Sequence, residues 1–397
     1  MRPRSILFSL LLLSGFALRA QTEVDERALI EVRDGVSIRK DSLFLLNLRF
    51  RMQNRVGLTS RGGDDLSIAT VDARVRRLRL RLDGFVMNER FQYYIQLNFS
   101  HSDLDLDAGG VAKPIRDAMV YYHLNKRFYL GMGQSKVPGN RQRVTSSGNL
   151  QFPDRSIANG TFTLDRDFGL FAYWTLPMNG VQQMQLKGSI TTGDGRSAVP
   201  SNSGLAYTGR LEWLPLGTFT NKGDYSEGDL EMEPTPKLAI GLVAHRNDRA
   251  LRTGGQLGHE LYANRGFNTY IADAVLKYQG WALSGEFFDR RCPDPITTNA
   301  EGAVRFVQTG QGLNMQLSKF FRSRYEVVSR YSFVDPAANT ERVSKRTEEV
   351  LLGGGKYLNG HRIKLQGYLG YRWLTGRMGL DAPGNNWTAM FQVEFGI

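Results

Sequence analysis

Between Phe44 and Met52 the even positions Phe44, Leu46, Leu48, Phe50 and Met52 are all apolar, while Asn47, Arg49, Arg51, Gln53 and Arg55 occupy the opposite face of an extended chain. Period-two patterning of this length predicts a strand with oil on one side and water on the other. The rhythm returns in Phe91, Tyr93, Ile95, Leu97 and Phe99, set against Gln92, Tyr94, Gln96, Asn98 and Ser100. It closes the sequence as Trp387, Ala389, Phe391, Val393, Phe395 and Ile397. Beginning with Ser42–Gly57, Asp72–Val86, Phe91–Ser100, Ile115–Leu124 and Phe128–Lys136, the pattern predicts strands at Asp165–Trp174, Gln183–Thr192, Leu205–Leu214, Pro236–Arg246, Asn268–Tyr278 and Trp281–Arg290. It continues at Val304–Gln316, Ser323–Phe333, Thr347–Tyr357, Arg362–Trp373 and Asn386–Gly396, sixteen strands in all.

The second strand changes phase, with Ala73 and Val75 apolar at odd positions and Leu78, Leu80 and Leu82 at even ones. A β-bulge at Arg76-Arg77 reconciles the halves, because one extra residue resets the alternation. Arg74, Arg76, Arg77, Arg79 and Arg81 then share one face. An amphipathic helix with a solvated basic face is the competing reading, and strict alternation over Leu78–Leu82 opposes it.

Connections alternate in length. With the amino end in the periplasm, the external ones are long (58–71, 101–114, 137–164, 193–204, 247–267, 291–303, 334–346 and 374–385) and the periplasmic ones mostly short. Outer-membrane barrels show this asymmetry, and a soluble sandwich has no reason to. Pro215–Thr235 breaks the rule, being acidic and too long for a periplasmic turn, which points to a missed or merged strand. All five tryptophans, Trp174, Trp213, Trp281, Trp373 and Trp387, lie within two residues of a predicted strand end, where indoles meet lipid headgroups. The expected fold is all-β, a sixteen-stranded antiparallel transmembrane β-barrel in the bacterial outer membrane, because a sheet in lipid must close to pair its backbone.

Residues 1–20 read as a secretory signal peptide, with Arg2 and Arg4, the apolar run Ile6–Leu13 and Leu18-Arg-Ala20 before Gln21. Removing them lowers the formal charge from +12 to +9. Residues 21–41 form a charged periplasmic lead-in with a short strand at Val32–Arg39, and 42–397 the barrel. Beyond the signal region no apolar run is long enough for a spanning helix. One cysteine, Cys292, excludes an intramolecular disulfide and a cysteine zinc cluster, and five scattered histidines give no metal pair, so no cofactor or metal is expected. A lipid hydrolase on a barrel would need a Ser/His/acid set at the rim. His101-Ser102 has no such partners, so no enzyme is expected.

Sixteen strands enclose a water-filled lumen that needs a filter. Val137–Leu164 is a polar loop with Arg141, Arg143 and Arg155, preceded by Lys136, and loops that long are usually functional. Folded into the lumen, it would narrow an anion-conducting pore. Arginine suits that task, since its planar fork binds oxyanions and keeps its charge. Five guanidiniums on one strand need water or acid partners such as Asp72, Asp83, Asp117, Asp165 and Asp167. A charge network that only braces the wall is the alternative.

Gly133-Gln-Ser-Lys136-Val-Pro138, Asp154-Arg-Ser156, Asp165-Arg-Asp167-Phe-Gly169 and Arg74–Arg81 followed by Leu82-Asp-Gly84 resemble the phosphate-selective porins O and P. The resemblance runs from Asp34-Gly35 to the last strand, although Gly139 stands where the family commonly carries an aromatic. It implies a homotrimer of sixteen-stranded barrels whose third external loop enters the lumen, passing phosphate or polyphosphate through an arginine ladder. By this resemblance Arg76 and Arg77 sit at the constriction, Lys136 and Arg143 contribute from the loop side, and Arg49, Arg51, Arg74 and Arg79 form the ladder. Arg155, Asp165, Arg166 and Asp167 anchor the loop. The partners are then the outer-membrane bilayer and small phosphate-like anions, with no nucleic acid. A general porin and a plugged structural or adhesive barrel remain the alternatives.

Overall fold

The computed structural model describes residues 29–32, 35–101, 104, 112–199 and 204–397; the expected signal peptide, the start of the lead-in and Ser102 lie outside them. Sixteen strands form the wall: β1 Phe44–Ser60, β2 Ile68–Val86, β3 Asn88–Asn98, β4 Ile115–His123, β5 Phe128–Lys136, β6 Arg166–Leu176, β7 Gln183–Thr191 and β8 Ala206–Leu214. The second half holds β9 Lys237–Arg252, β10 Glu260–Tyr278, β11 Trp281–Arg291, β12 Gly310–Phe320, β13 Tyr325–Pro336, β14 Thr347–Asn359, β15 Ile363–Leu374 and β16 Asn386–Gly396. Each strand pairs antiparallel with the next. β16 pairs with β1 from Thr388↔Thr59 to Gly396↔Arg51, which closes the ring. Before β1, Leu29–Val32 pairs antiparallel with Val36–Lys40, which extends the ladder on β1, so the strand expected at Val32–Arg39 falls in two separate strands.

The wall is apolar outside and polar inside. Leu242, Leu276, Leu283 and Leu317 are exposed, whereas Arg210, Asp273, Arg290, Gln316 and Arg330 are buried. That inversion is the signature of a barrel in lipid. Trp174, Trp213 and Trp281 are exposed at the periplasmic ends of β6, β8 and β11, while Trp373 and Trp387 flank Tyr371 at the other rim.

Three expectations differ from the structure. β9 and β10 run to Arg252 and from Glu260, well beyond 246 and 268, because in 247–252 and 260–267 apolar and polar residues no longer alternate regularly and the register slips. The strand expected at Val304–Gln316 begins at Gly310; Val304–Phe306 instead pairs with Ile296–Thr298 in a loop hairpin, and Val307 packs with Ala250, Phe267 and Cys292. The connection after β8 hides no strand. It is an irregular segment with a 3-10 turn at Thr220–Tyr225, and it folds inward.

The segment after β5 carries two short helices, α1 Arg141–Val144 and α2 Ile157–Phe162, and it is held by a core inside the barrel. Val137, Ala158, Phe162 and Leu164 pack on Met119, Phe171, Val243, Ile271, Phe288 and Val334. Gly312 on β12 makes room for α2, since a Cβ there would lie 2.8 Å from the Phe162 ring and 3.2 Å from Ala158. Gly312→Val is therefore expected to loosen α2 at a cost of about 1–3 kcal/mol. Faster proteolysis of the loop in an otherwise heat-resistant barrel would report it, and wild-type protection would disprove the contact.

Candidate functional site

Packing of the loop against β8–β13 leaves open space on the opposite side, along β1–β4. A cavity of about 810 Å³ lies there. Nine basic side chains border it, Arg49, Arg51, Arg79, Arg81, Arg116, Lys136, Arg155, Arg166 and Arg362, against the two acidic ones Glu231 and Glu394. Basic side chains thus outnumber acidic ones along this lining, although Arg166 and Arg81 also pair with Asp117 and Asp83 behind it.

Two β-bulges build this wall. Gln53 pairs with Arg77 and Asn54 with Val75, which leaves Arg76 as the extra residue on β2, where the change of phase predicted a bulge. On β4 the same device appears, since Gln96 pairs with Asp117 and Leu97 with Ile115, leaving Arg116 extra. Each bulge adds one arginine to the inner face and resets the alternation at that point.

The guanidiniums fall into two environments. Toward the exterior, Asp154 of the loop gathers Arg55, Arg76 Nε at 3.4 Å and Arg77 Nη2 at 3.5 Å. Burial would raise the Asp154 carboxyl, but Arg76, Arg77 and Arg55 together hold it well below the usual carboxylate range. Arg74 Nε pairs with Asp72 at 2.7 Å. The upper arginines are thus largely matched by acids.

Lower in the barrel the partners of the arginines include neutral hydroxyls. Arg51 donates to Ser146 Oγ at 3.0 Å and Ser147 Oγ at 2.9 Å, and Arg79 Nη1 donates to the same Ser147 oxygen at 2.8 Å. Hydroxyls position a guanidinium without cancelling its charge. Glu394 stands 3.8 Å from Arg51, but it also accepts from Gln53 at 2.9 Å and lies 3.5 Å from Lys364. Arg81 pairs with Asp83 at 2.7 Å and lies over the Tyr94 ring.

The residues singled out in the sequence separate by position. Arg49, Arg51, Arg79, Lys136, Arg155 and Arg166 border the cavity, whereas Arg74, Arg76, Arg77 and Arg143 do not. Lys136 Nζ donates to the carbonyls of Val144 and Thr145, at 2.8 and 3.2 Å, which ties the wall to the loop. Arg143 was expected to act from the loop side, but its Nε donates to Asp165 at 2.7 Å. Arg155 donates to the carbonyls of Gln142, Arg143 and Thr145, and Arg166 makes a paired bond to Asp117 at 2.9 and 3.0 Å. Asp167 holds the next connection, accepting from Thr192 Oγ1 and the amides of Gly193 and Gly195. Arg81, Arg116, Arg362, Ser146 and Ser147 also border the cavity. Only Arg81 carried a sequence signal for this face, through the alternation of β2.

Residues 46–231 match the family described as phosphate-selective porin O and P. The match spans just under half of the chain. Among curated proteins none matches the sequence. Solved porins share the fold at low identity. An anion-selective porin from Comamonas acidovorans is 14% identical at a TM-score of 0.55, with 89% of this chain and 100% of that chain covered. Salmonella typhi OmpF, in complex with daunomycin, is 10% identical at 0.58, covering 93% and 100%. Vibrio cholerae OmpT in trimer form is 9% identical at 0.53, covering 89% and 100%. The porin is an outer-membrane β-barrel, and the matched family and the fold point to a channel rather than an enzyme.

Proposed function

We propose that this porin is a water-filled channel for passive uptake of small anions, with phosphate-like oxyanions as the favoured class. The observation that carries this reading is the cavity on the arginine wall, where serine hydroxyls of the loop hold Arg51 and Arg79 side by side. Two adjacent planar forks suit an oxyanion better than a spherical halide. Water in the passage removes the penalty that dry burial of so many cations would impose. Arg49, Arg51 and Arg79 serve as the ladder, with Arg81 and Arg116 beside them and Lys136 at the loop junction. Arg55, Arg76 and Arg77, gathered on Asp154, fix the edge of the constriction. Three copies assemble as a trimer in this reading.

Planar-bilayer recording tests it. Conductance steps with a reversal potential near that of chloride in a salt gradient are expected, together with block of chloride current by phosphate at lower concentration than by sulfate. Cation preference would overturn the reading, and absence of conductance would favour a plugged barrel.

A further inference from the structure

The connection after β8, residues 215–236, lies inside the periplasmic end of the barrel and meets the lumenal loop from below. Phe219 seats it on Leu214, Ala239 and Val275, an apolar patch on the inner wall. Lys277 Nζ donates to the carbonyls of Gly223 and Ser226, each at 2.8 Å, and Ser226 Oγ lies 2.8 Å from His361 Nε2. We propose that this connection is the exit-side half of the constriction, with Glu227 positioning the loop and Glu231 setting the charge that an anion meets on leaving. The inference rests on the anion-channel reading above.

Glu227 joins three parts of the structure. Its carboxylate accepts from Gln142 Nε2 of α1 at 3.1 Å, from the Gln151 amide at 2.8 Å and from Gln316 Nε2 of the wall at 3.2 Å. Its own amide donates to the Asn149 carbonyl at 2.9 Å. Asn149 closes the Ser147–Asn149 turn, which supplies the hydroxyl held by Arg51 and Arg79. Gly228 follows with a positive φ of 69°, and a Cβ there would collide with Glu326, so the backbone can approach the wall only as glycine. A shift of Glu227 is therefore transmitted to the serines on which the two arginines depend.

Glu231 is placed differently. Asp229 accepts the amides of Glu233 and Gly280, and Glu233 accepts from Thr220, so these acids maintain the fold of the segment itself. Glu231 is exposed, accepts from Asn221 Nδ2 at 3.1 Å, and borders both the basic cavity and a second cavity of about 580 Å³ toward the periplasm. Asn221 and Lys222 are consecutive left-handed residues with φ of 49° and 58°. Strain of this kind persists only where the surroundings enforce it. A carboxylate after a run of cations raises the energy of an anion on the last of them, and conduction needs sites that release as well as attract.

Bilayer recording on the full porin in potassium phosphate and potassium chloride tests both residues. Glu231→Gln is expected to lower the half-saturating phosphate concentration about fivefold and to reduce the limiting current, the effect of deleting one repelling charge near the path. Glu227→Ala is expected to raise chloride conductance and to bring the reversal potential closer to zero, with Glu227→Gln intermediate. Asp248→Asn, at a half-buried acid that pairs with Arg246 and borders neither cavity, serves as the unchanged control. An anion-selective wild type whose Glu231→Gln and Glu227→Ala forms behave identically to it would overturn this inference alone. A wild type without anion preference would remove the channel reading and this inference with it.

Discussion

Asp273→Ala is expected to release the lumenal loop from the wall, the largest single-site effect on the barrel interior. Asp273 on β10 accepts both terminal nitrogens of Arg210, at 2.6 and 2.9 Å, and Nε of Arg141 from α1 at 2.9 Å. Glu212 is their other buried carboxylate, and it already takes Lys187 at 2.6 Å and Tyr225 Oη at 2.7 Å. Removing Asp273 leaves two guanidiniums short of a counter-charge in a dry site, which costs about 3–5 kcal/mol. The hydrogen-bonded wall stays closed while α1 detaches. Limited proteolysis should cut near Arg141, and single-channel traces should become noisy with larger steps. Asp273→Asn, which keeps one acceptor, should show a smaller change. A loop as protected as wild type would remove the anchoring role.

The second large effect is on selectivity. Arg51→Glu combined with Arg79→Glu changes the local charge by four units beside the Ser146–Ser147 hydroxyls. Each unit charge about 4 Å from a permeating ion contributes about 1 kcal/mol in water and about 4 kcal/mol near protein. The reversal potential is therefore expected to cross to the cation side. Arg76→Ala with Arg77→Ala should shift it less, because Asp154 already offsets those two. Equal shifts from the two pairs would show that the acid does not screen them, and no shift from the first pair would dissociate the cavity from the filter.

Most of the wall was legible in the sequence, for a simple reason. Lipid demands an apolar side chain at every second position, so each spanning stretch carries its own label, and the bulge at Arg76 showed as a slip in phase. The matching bulge at Arg116 left no such trace. Ile115 and Arg116 open their strand, so there is no earlier phase to compare. The inward fold of 215–236 was hidden by its acids, which resemble a solvated loop. A signal did exist, since Leu214, Ala239 and Val275 are apolar on the face expected to meet water, and they are the seat of Phe219. The partner of Arg143 was hidden for the opposite reason. Charge in a pore loop invites a transport role, and pairing with Asp165 depends on a meeting in space that spacing does not encode.

The contacts of Ser147 bear on how the molecule is put together. Its carbonyl accepts from Gln53 on the first strand of the ring, and Gln53 in turn donates to Glu394 on the last, while Lys364 of the neighbouring strand reaches the carbonyls of Gly148 and Leu150. One turn of chain thus latches both sides of the junction that joins the two ends of the sheet. Loop docking and ring closure share these bonds, so a porin trimmed of this turn is expected to close its sheet without the loop's latch across that junction.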